Sequence, residues 1–84
     1  MPISVHHPKY KALRLALAAS RKSAGLSQIE LAARLGVGQS YISKIERAEA
    51  YVDIFTYVDW VVACGGVPGT ALNLLVATVK SDEL

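Results

Sequence analysis

A tight turn bounded by glycines, Gly36-Val37-Gly38, is the sequence feature that most constrains the fold. Before it, Ser27 and Glu30 have the spacing of a capping box, in which each side chain accepts a hydrogen bond from the other residue's backbone amide, so a helix is predicted to begin there. Gly36 is the residue type that ends such a helix in the left-handed conformation. Residues 39–47 then predict another short helix. Two short helices joined by so short a turn indicate a helix-turn-helix.

The rest of the chain predicts three more helices and no strand. They are a first helix over Tyr10–Ala24, a fourth from an Asp53 N-cap to Cys64, and a fifth from about Gly69 to Lys80. The positions expected to face inward are Leu13, Leu17, Leu31, Ala32, Leu35, Ile42, Ile45, Ile54, Tyr57, Val58 and Val61. With 84 residues the chain has room for one core. The prediction is therefore an all-α domain of five helices over residues 10–80, with a flexible arm (1–9) and a short tail (81–84).

The charges are divided unevenly along the chain. Residues 1–50 hold eight Lys or Arg and three acids, a net charge of +5, whereas residues 51–84 hold one Lys and four acids, a net charge of −3. A basic front half suits an anionic partner, and an acidic, apolar back half suits packing or self-association. An uneven charge distribution also arises by accident in small helical domains.

The third helix carries the residues of most functional interest. Once Ile42 and Ile45 face inward, its outer face holds only polar and cationic side chains: Gln39, Ser40, Ser43, Lys44 and Arg47. Gln can bond to adenine through two hydrogen bonds, Ser can donate or accept, and Lys can reach guanine or phosphate. Such a face suits the DNA major groove, although any amphipathic helix has a solvated polar face.

Two neighbouring side chains extend this site. Gln28 opens the second helix, where its amide and the free backbone N–H groups of the first turn can hold a phosphate. Tyr41 lies at the flank of the third helix, where a backbone phosphate or a thymine methyl group is within reach. Both are candidate DNA contacts.

The string LSQIELA (26–32) followed by LGVGQSYISKIER (35–47) resembles the phage-repressor or Cro-type helix-turn-helix domain, the XRE family. The resemblance covers residues 13–64 and implies a lambda-repressor-like fold and a sequence-specific DNA-binding regulator, usually a dimer on a palindromic operator. By position, it implies that Gln28 contacts phosphate and that the third helix reads bases through Gln39, Ser40, Ser43 and Lys44. It also implies an ion pair between Arg21 and Glu46 that fixes the third helix.

The sequence departs from the family at two positions. Ala48 stands where the family usually has Gly, and Ala in a left-handed conformation costs about 1 kcal/mol or more. The third helix is therefore expected to run on a little or to turn differently. Gly38 precedes the helix where Ser or Thr is usual, and it is a weaker N-cap.

The apolar residues of the back half have two interpretations. Trp60 and a stripe on the fifth helix either close the core of a monomer or form an apolar patch that pairs two copies. Because one domain contacts only a half-site, we expect a homodimer, with its interface at Trp60, Leu72, Leu75, Val76 and Val79.

Several other classes of protein are disfavoured. The uncharged run from Trp60 to Val79 has the length of a membrane span, but Gly65 to Gly69 break it into two short helices. Cys64 is expected to be a core thiol, and one Cys fits a reducing cytoplasm. The adjacent His6 and His7 lack the partners of a metal site. No motif indicates catalysis, so neither enzymatic activity nor a metal or other cofactor is expected.

The sequence therefore predicts a cytoplasmic regulator, nucleoid-associated when bound to double-stranded DNA, that represses by occupying a promoter as a homodimer. Two alternatives stay open. One is the antitoxin of a toxin–antitoxin pair, which binds a second protein as well as DNA. The other is a protein-interaction module that keeps the fold without binding DNA.

Overall fold

The computed structural model describes residues 3–83 and confirms the all-α prediction. Within that range the chain forms five helices and no strand: α1 (Pro8–Ser23), α2 (Gln28–Leu35), α3 (Gln39–Glu46), α4 (Ile54–Ala63) and α5 (Pro68–Glu83). Packing contacts join α2 to α3 and α4, while α1 packs against α3, α4 and α5. α4 also packs against α5, so α1 and α4 both link the helix-turn-helix to the C-terminal helix.

The ends of the chain are more helical than predicted. α1 begins at Pro8, inside the expected arm, because His7 caps it through a 3.1 Å bond from the Lys9 amide to His7 Nδ1, and proline is favoured in the first turn. The arm also contacts the body, where the Tyr51 hydroxyl donates to the Ile3 carbonyl at 2.6 Å. At the other end α5 continues beyond Lys80 into the predicted tail. Met1, Pro2 and Leu84 lie outside the described residues.

The predicted helix caps of α2 and α4 are confirmed. Ser27 Oγ accepts from the Glu30 amide, and the Glu30 carboxylate accepts from the Ser27 amide, both at 3.0 Å. Gly36 ends α2 with φ of 69°, a value that glycine adopts without steric cost. Asp53 caps α4 by accepting from the Thr56 amide at 2.8 Å. These local interactions fix the length of α2 and the start of α4.

The end of α3 follows neither of the two expectations, because the helix does not run on and Ala48 adopts the conformation of the usual glycine. The helix ends at Glu46, and Ala48 takes the left-handed conformation with φ of 62°. The Ala48 amide donates to the Ile45 carbonyl at 3.3 Å and the Glu49 amide donates to the Lys44 carbonyl at 2.8 Å, the bonds of a Schellman motif. Alanine therefore occupies a glycine position, at a cost of about 1 kcal/mol, while its methyl group is buried.

The core lies between the first four helices. Its most completely buried side chains, each less than 2% exposed, are Trp60, Leu17, Leu31, Ile42 and Ile45. Trp60 Nε1 donates to the Leu17 carbonyl at 3.0 Å, so the one polar atom of the indole is satisfied. Tyr57 and Val61 are buried as predicted, but Ile54, expected in the core, is 60% exposed at the start of α4.

No single helix within residues 3–83 is long and apolar enough to cross a membrane. Helices α4 and α5 reach that length and composition only as a pair, and the chain bends by 111° between them.

Candidate nucleic-acid interface

Helix α3 turns two isoleucines inward and presents its other side to solvent. Ile42 and Ile45 have no exposed surface. We call the opposite side the recognition face, formed by Gln39, Ser40, Ser43 and Lys44; Ser43 is half-buried and the other three are exposed. These side chains carry donors, acceptors and one positive charge, and no acid. The face is therefore suited to hydrogen bonding with an anionic, polar partner.

An ion pair behind the recognition face joins α1 to α3. Arg21 Nε donates to Glu46 Oε2 at 2.7 Å and Arg21 Nη2 donates to Glu46 Oε1 at 3.0 Å, and each side chain is only 10% exposed. Arg21 Nη1 donates to the Leu26 carbonyl at 2.8 Å. A bidentate pair of this kind fixes orientation as well as distance. The end of α3 is thereby fastened to the end of α1.

Both partners of this pair are held in their charged forms. Burial raises the pKa of Glu46, but hydrogen bonds from Arg21 and Gln28 outweigh burial and leave that pKa below its ordinary value near 4.5. The hydrogen bond to Glu46 raises the pKa of Arg21. The charged side chain of Lys22 also lowers the pKa of Glu46, which places a further cation near this site.

A chain of hydrogen bonds runs from the ion pair to the recognition face. Gln28 Nε2 donates to Glu46 Oε1 at 3.1 Å, and Gln39 Nε2 donates to Gln28 Oε1 at 2.8 Å. These bonds assign the amide orientation of Gln39 and use one of its two N–H groups. Gln28, predicted only as a phosphate contact, therefore also positions a residue of the recognition face.

Arg14 is a second α1 residue at the end of α3, and its role was not predicted from the sequence. Its Nη1 donates to the Glu46 carbonyl at 3.3 Å, and a cation near a helix C-terminus is favourable. The available signal was its spacing, because Arg14 lies seven residues before Arg21 and so shares a helix face with it. Two arginines of α1 thus hold the last turn of α3.

The other predicted DNA contacts, Lys44, Tyr41 and Arg47, differ in their exposure and in their partners. Lys44 is exposed on the recognition face. Tyr41 is half-buried and packs against the core, so only part of its ring faces outward. Arg47 is exposed and pairs with Glu49, with 2.8 Å between Arg47 Nε and Glu49 Oε2.

The residues predicted for a dimer interface do not form one surface. Trp60 has no exposed surface and belongs to the core, which corrects its assignment to an interface. On α5, Leu72 and Val76 are 43% and 44% exposed, while Leu75 and Val79 are half-buried. The apolar stripe on α5 is therefore partly packed against the body of the domain and partly open.

Chemistry-bearing residues elsewhere are dispersed. No group of three His, Cys, Asp or Glu that could hold a metal ion occurs in the part of the chain that the structure describes. Cys64, expected to be a core thiol, is half-buried and packs against the core at the end of α4.

Comparison with known proteins gives the family. A helix-turn-helix family model matches residues 17–72, from the middle of α1 into α5. The chain is similar to a solved structure of an XRE-family like protein from Pseudomonas syringae pv. tomato str. DC3000, with 40% sequence identity, coverage of 88% of this chain and 90% of that chain, and a TM-score of 0.82. The curated proteins include no match. The chain belongs to the XRE family of helix-turn-helix proteins.

Proposed function

We propose that the protein is a sequence-specific DNA-binding transcriptional regulator that represses by occupying a palindromic operator as a homodimer. The observation that supports this proposal is the acid-free recognition face, connected by the side chains of Gln28 and Gln39 to the Arg21–Glu46 ion pair. A solvated polar face has no need of such fixed positioning. In DNA binding, fixed side chains lose less conformational freedom at the interface.

In the proposed complex α3 lies in the major groove. Gln39 is suited to adenine, because an amide can donate to N7 and accept from N6. Lys44, one turn further along α3, is suited to guanine O6 and N7 or to a phosphate. Ser40 and Ser43 can donate to or accept from base edges between them. Together these four side chains provide the direct sequence recognition.

Backbone contacts fix the domain on the duplex. The first turn of α2 offers N–H groups without intrahelical partners, and a helix N-terminus attracts phosphate. In our proposal the remaining N–H of Gln28, the first residue of α2, and the charge of Lys22, which acts on Glu46, add to this attraction. These contacts contribute affinity without sequence information, which agrees with the excess of basic residues in the first half of the chain.

The proposed dimer uses the open part of α5 and the start of α4. An apolar groove between them is lined by Leu13, Val52, Asp53, Ile54, Tyr57, Leu72 and Leu75. Ile54 borders this groove and is 60% exposed, so in our proposal it takes the place first assigned to Trp60. Val76 continues the same surface along α5.

Val76→Lys is expected to convert the proposed dimer into a monomer, because it places a charge in an apolar interface. Leu74→Lys is the matched control, since Leu74 is 67% exposed and borders a different groove, between α1 and α5. Sedimentation at micromolar concentration, with and without operator DNA, measures the difference. A wild-type protein that is monomeric in both conditions contradicts the proposed dimer.

An antitoxin is the alternative function that a specific observation favours. It requires a surface for a second protein, and the groove between α1 and α5 exposes Leu15 (51%) and Leu74 (67%) beside Ala16, Ala19 and Ala71. Co-expression with the product of the neighbouring gene distinguishes the two functions, since only an antitoxin relieves the toxicity of that product.

Lys44→Ala and Gln28→Ala separate sequence recognition from general attraction. Selection of bound sequences from a genomic DNA pool first identifies the operator. Lys44→Ala is then expected to weaken operator binding by about 1–3 kcal/mol and to relax sequence preference. Gln28→Ala is expected to weaken binding to all sequences and to weaken operator binding further, because it also releases Gln39.

Binding titrations at several salt concentrations provide the measurement, because phosphate contacts make the affinity fall steeply as salt rises. Wild-type binding that is absent or independent of salt would favour the protein-interaction module. If both variants bind like the wild type, the proposed docking of α3 is wrong.

A further inference from the structure

An exposed ion pair lies directly after the recognition helix. Arg47 is the C-cap residue of α3, and its Nε lies 2.8 Å from Glu49 Oε2, with the two side chains 60% and 52% exposed. Arg47 is the cation closest in sequence to Lys44 of the recognition face. Its charge is therefore available to a DNA phosphate only in competition with the carboxylate of Glu49.

The backbone holds Glu49 in this position. The Glu49 amide donates to the Lys44 carbonyl at 2.8 Å, and Ala48 between the two charged residues takes its left-handed conformation. This closed turn bonds the backbone of Glu49, two residues after Arg47, to that of Lys44. The ion pair between Arg47 and Glu49 therefore lies across a turn with fixed backbone bonds.

The other acids of this region are engaged differently. Glu46 is bound by Arg21 and Gln28, and Asp53 accepts from the amide and the hydroxyl of Thr56 at 2.8 and 3.0 Å. Both of these acids therefore stabilise the fold. Glu49 differs from these two acids, because its side chain is 52% exposed and its partner is Arg47, a cation next to the recognition face.

We propose that Glu49 sets the affinity for DNA by holding the guanidinium of Arg47 away from the phosphates. The inference rests on the proposed DNA binding. Because the carboxylate of Glu49 neutralises Arg47 in the complex, the guanidinium does not make a full phosphate contact. Removing that carboxylate frees Arg47 for one such contact. Glu49 thus lowers affinity for every sequence equally, and the recognition face decides which sequences are preferred.

Glu49→Gln tests this inference against Asp59→Asn. Asp59 is an exposed acid on α4, so the two variants change the net charge equally. At ~0.1 M salt, Glu49→Gln is expected to tighten binding to operator and random DNA alike by about threefold to tenfold, and to steepen the dependence of log affinity on log salt by about 0.9, the value for one added phosphate contact. Asp59→Asn is expected to change affinity less than about twofold and to leave the slope unchanged.

The Arg47→Ala background provides a second test of the inference. If Glu49 acts through Arg47, Glu49→Gln in the Arg47→Ala background tightens binding no more than Asp59→Asn does. Equal effects of Glu49→Gln and Asp59→Asn in the otherwise wild-type protein would overturn the inference and leave DNA binding standing. A wild-type protein that binds no DNA would overturn the proposed function and this inference together.

Discussion

Trp60→Ala is expected to lower the free energy of unfolding by about 3–5 kcal/mol, the largest effect of any single substitution proposed for this protein. The indole has no exposed surface, and its removal leaves a cavity in a core that includes α2, α3 and α4, helices of 8, 8 and 10 residues that are too short to be stable alone. The Leu17 carbonyl also loses the hydrogen bond from Trp60 Nε1. Small domains have total stabilities of about 5–15 kcal/mol, so a large part of the total is lost.

Two controls interpret the result. Trp60→Phe keeps most of the apolar volume and removes the hydrogen bond, so a loss of about 1–3 kcal/mol is expected. Phe55→Ala removes an aromatic ring that is 77% exposed and is expected to change stability by less than about 0.5 kcal/mol. Urea unfolding followed by circular dichroism measures all three. Equal stability of Trp60→Ala and Phe55→Ala would contradict the described core.

Glu46→Ala is expected to lower the free energy of unfolding by about 3 kcal/mol and to weaken sequence preference in DNA binding. It leaves Arg21 unpaired at a position where its side chain is only 10% exposed, and an uncompensated buried charge is costly. Gln28 loses its acceptor, so Gln39 is no longer held by a connected chain of hydrogen bonds. Combining Arg21→Met with Glu46→Leu is expected to recover much of the stability and none of the sequence preference.

The same carboxylate gives a pH dependence with a definite sign. The pKa of Glu46 is lower in the folded state than its ordinary value near 4.5, so its stabilisation is fully present above that value and is lost as the pH falls through the folded pKa. Glu46→Ala should therefore show a smaller loss of stability between pH 7 and about pH 3 than the wild type. A constant difference across that range, or no difference, would contradict this role of the ion pair.

Features determined by local sequence were predictable, and features determined by packing were less so. Ser27, Gly36 and Asp53 act on amides or dihedral angles within a few residues, so their roles could be assigned without knowing the fold. In α4 nearly every residue is apolar, so its periodicity does not identify the buried side. For that reason Trp60, which is buried in the core, was assigned to an interface, and Ile54, which is exposed, was assigned to the core.

The candidate site shows the same difference between features determined by local sequence and features determined by packing. The recognition face followed from turning Ile42 and Ile45 inward. The hydrogen bond between Gln28 and Gln39 and the contact from Arg14 to Glu46 join residues 11 and 32 positions apart, and they depend on how α1, α2 and α3 are placed relative to one another. Residue spacing places Arg14 on the same face of α1 as Arg21, but it does not give the placement of the helices relative to one another.

The position of α1 has a consequence for the layout of an operator. This 16-residue helix packs against α3 and also against α5. In the proposed dimer it therefore connects the helix that lies in the major groove to the interface between the two copies. Half-sites are spaced by about one turn of the duplex, and inserting a single base pair moves and rotates one of them relative to the other. Because α1 packs against both elements, we expect their separation to be fixed, so the number of base pairs between the half-sites would be as strict a requirement as their sequence.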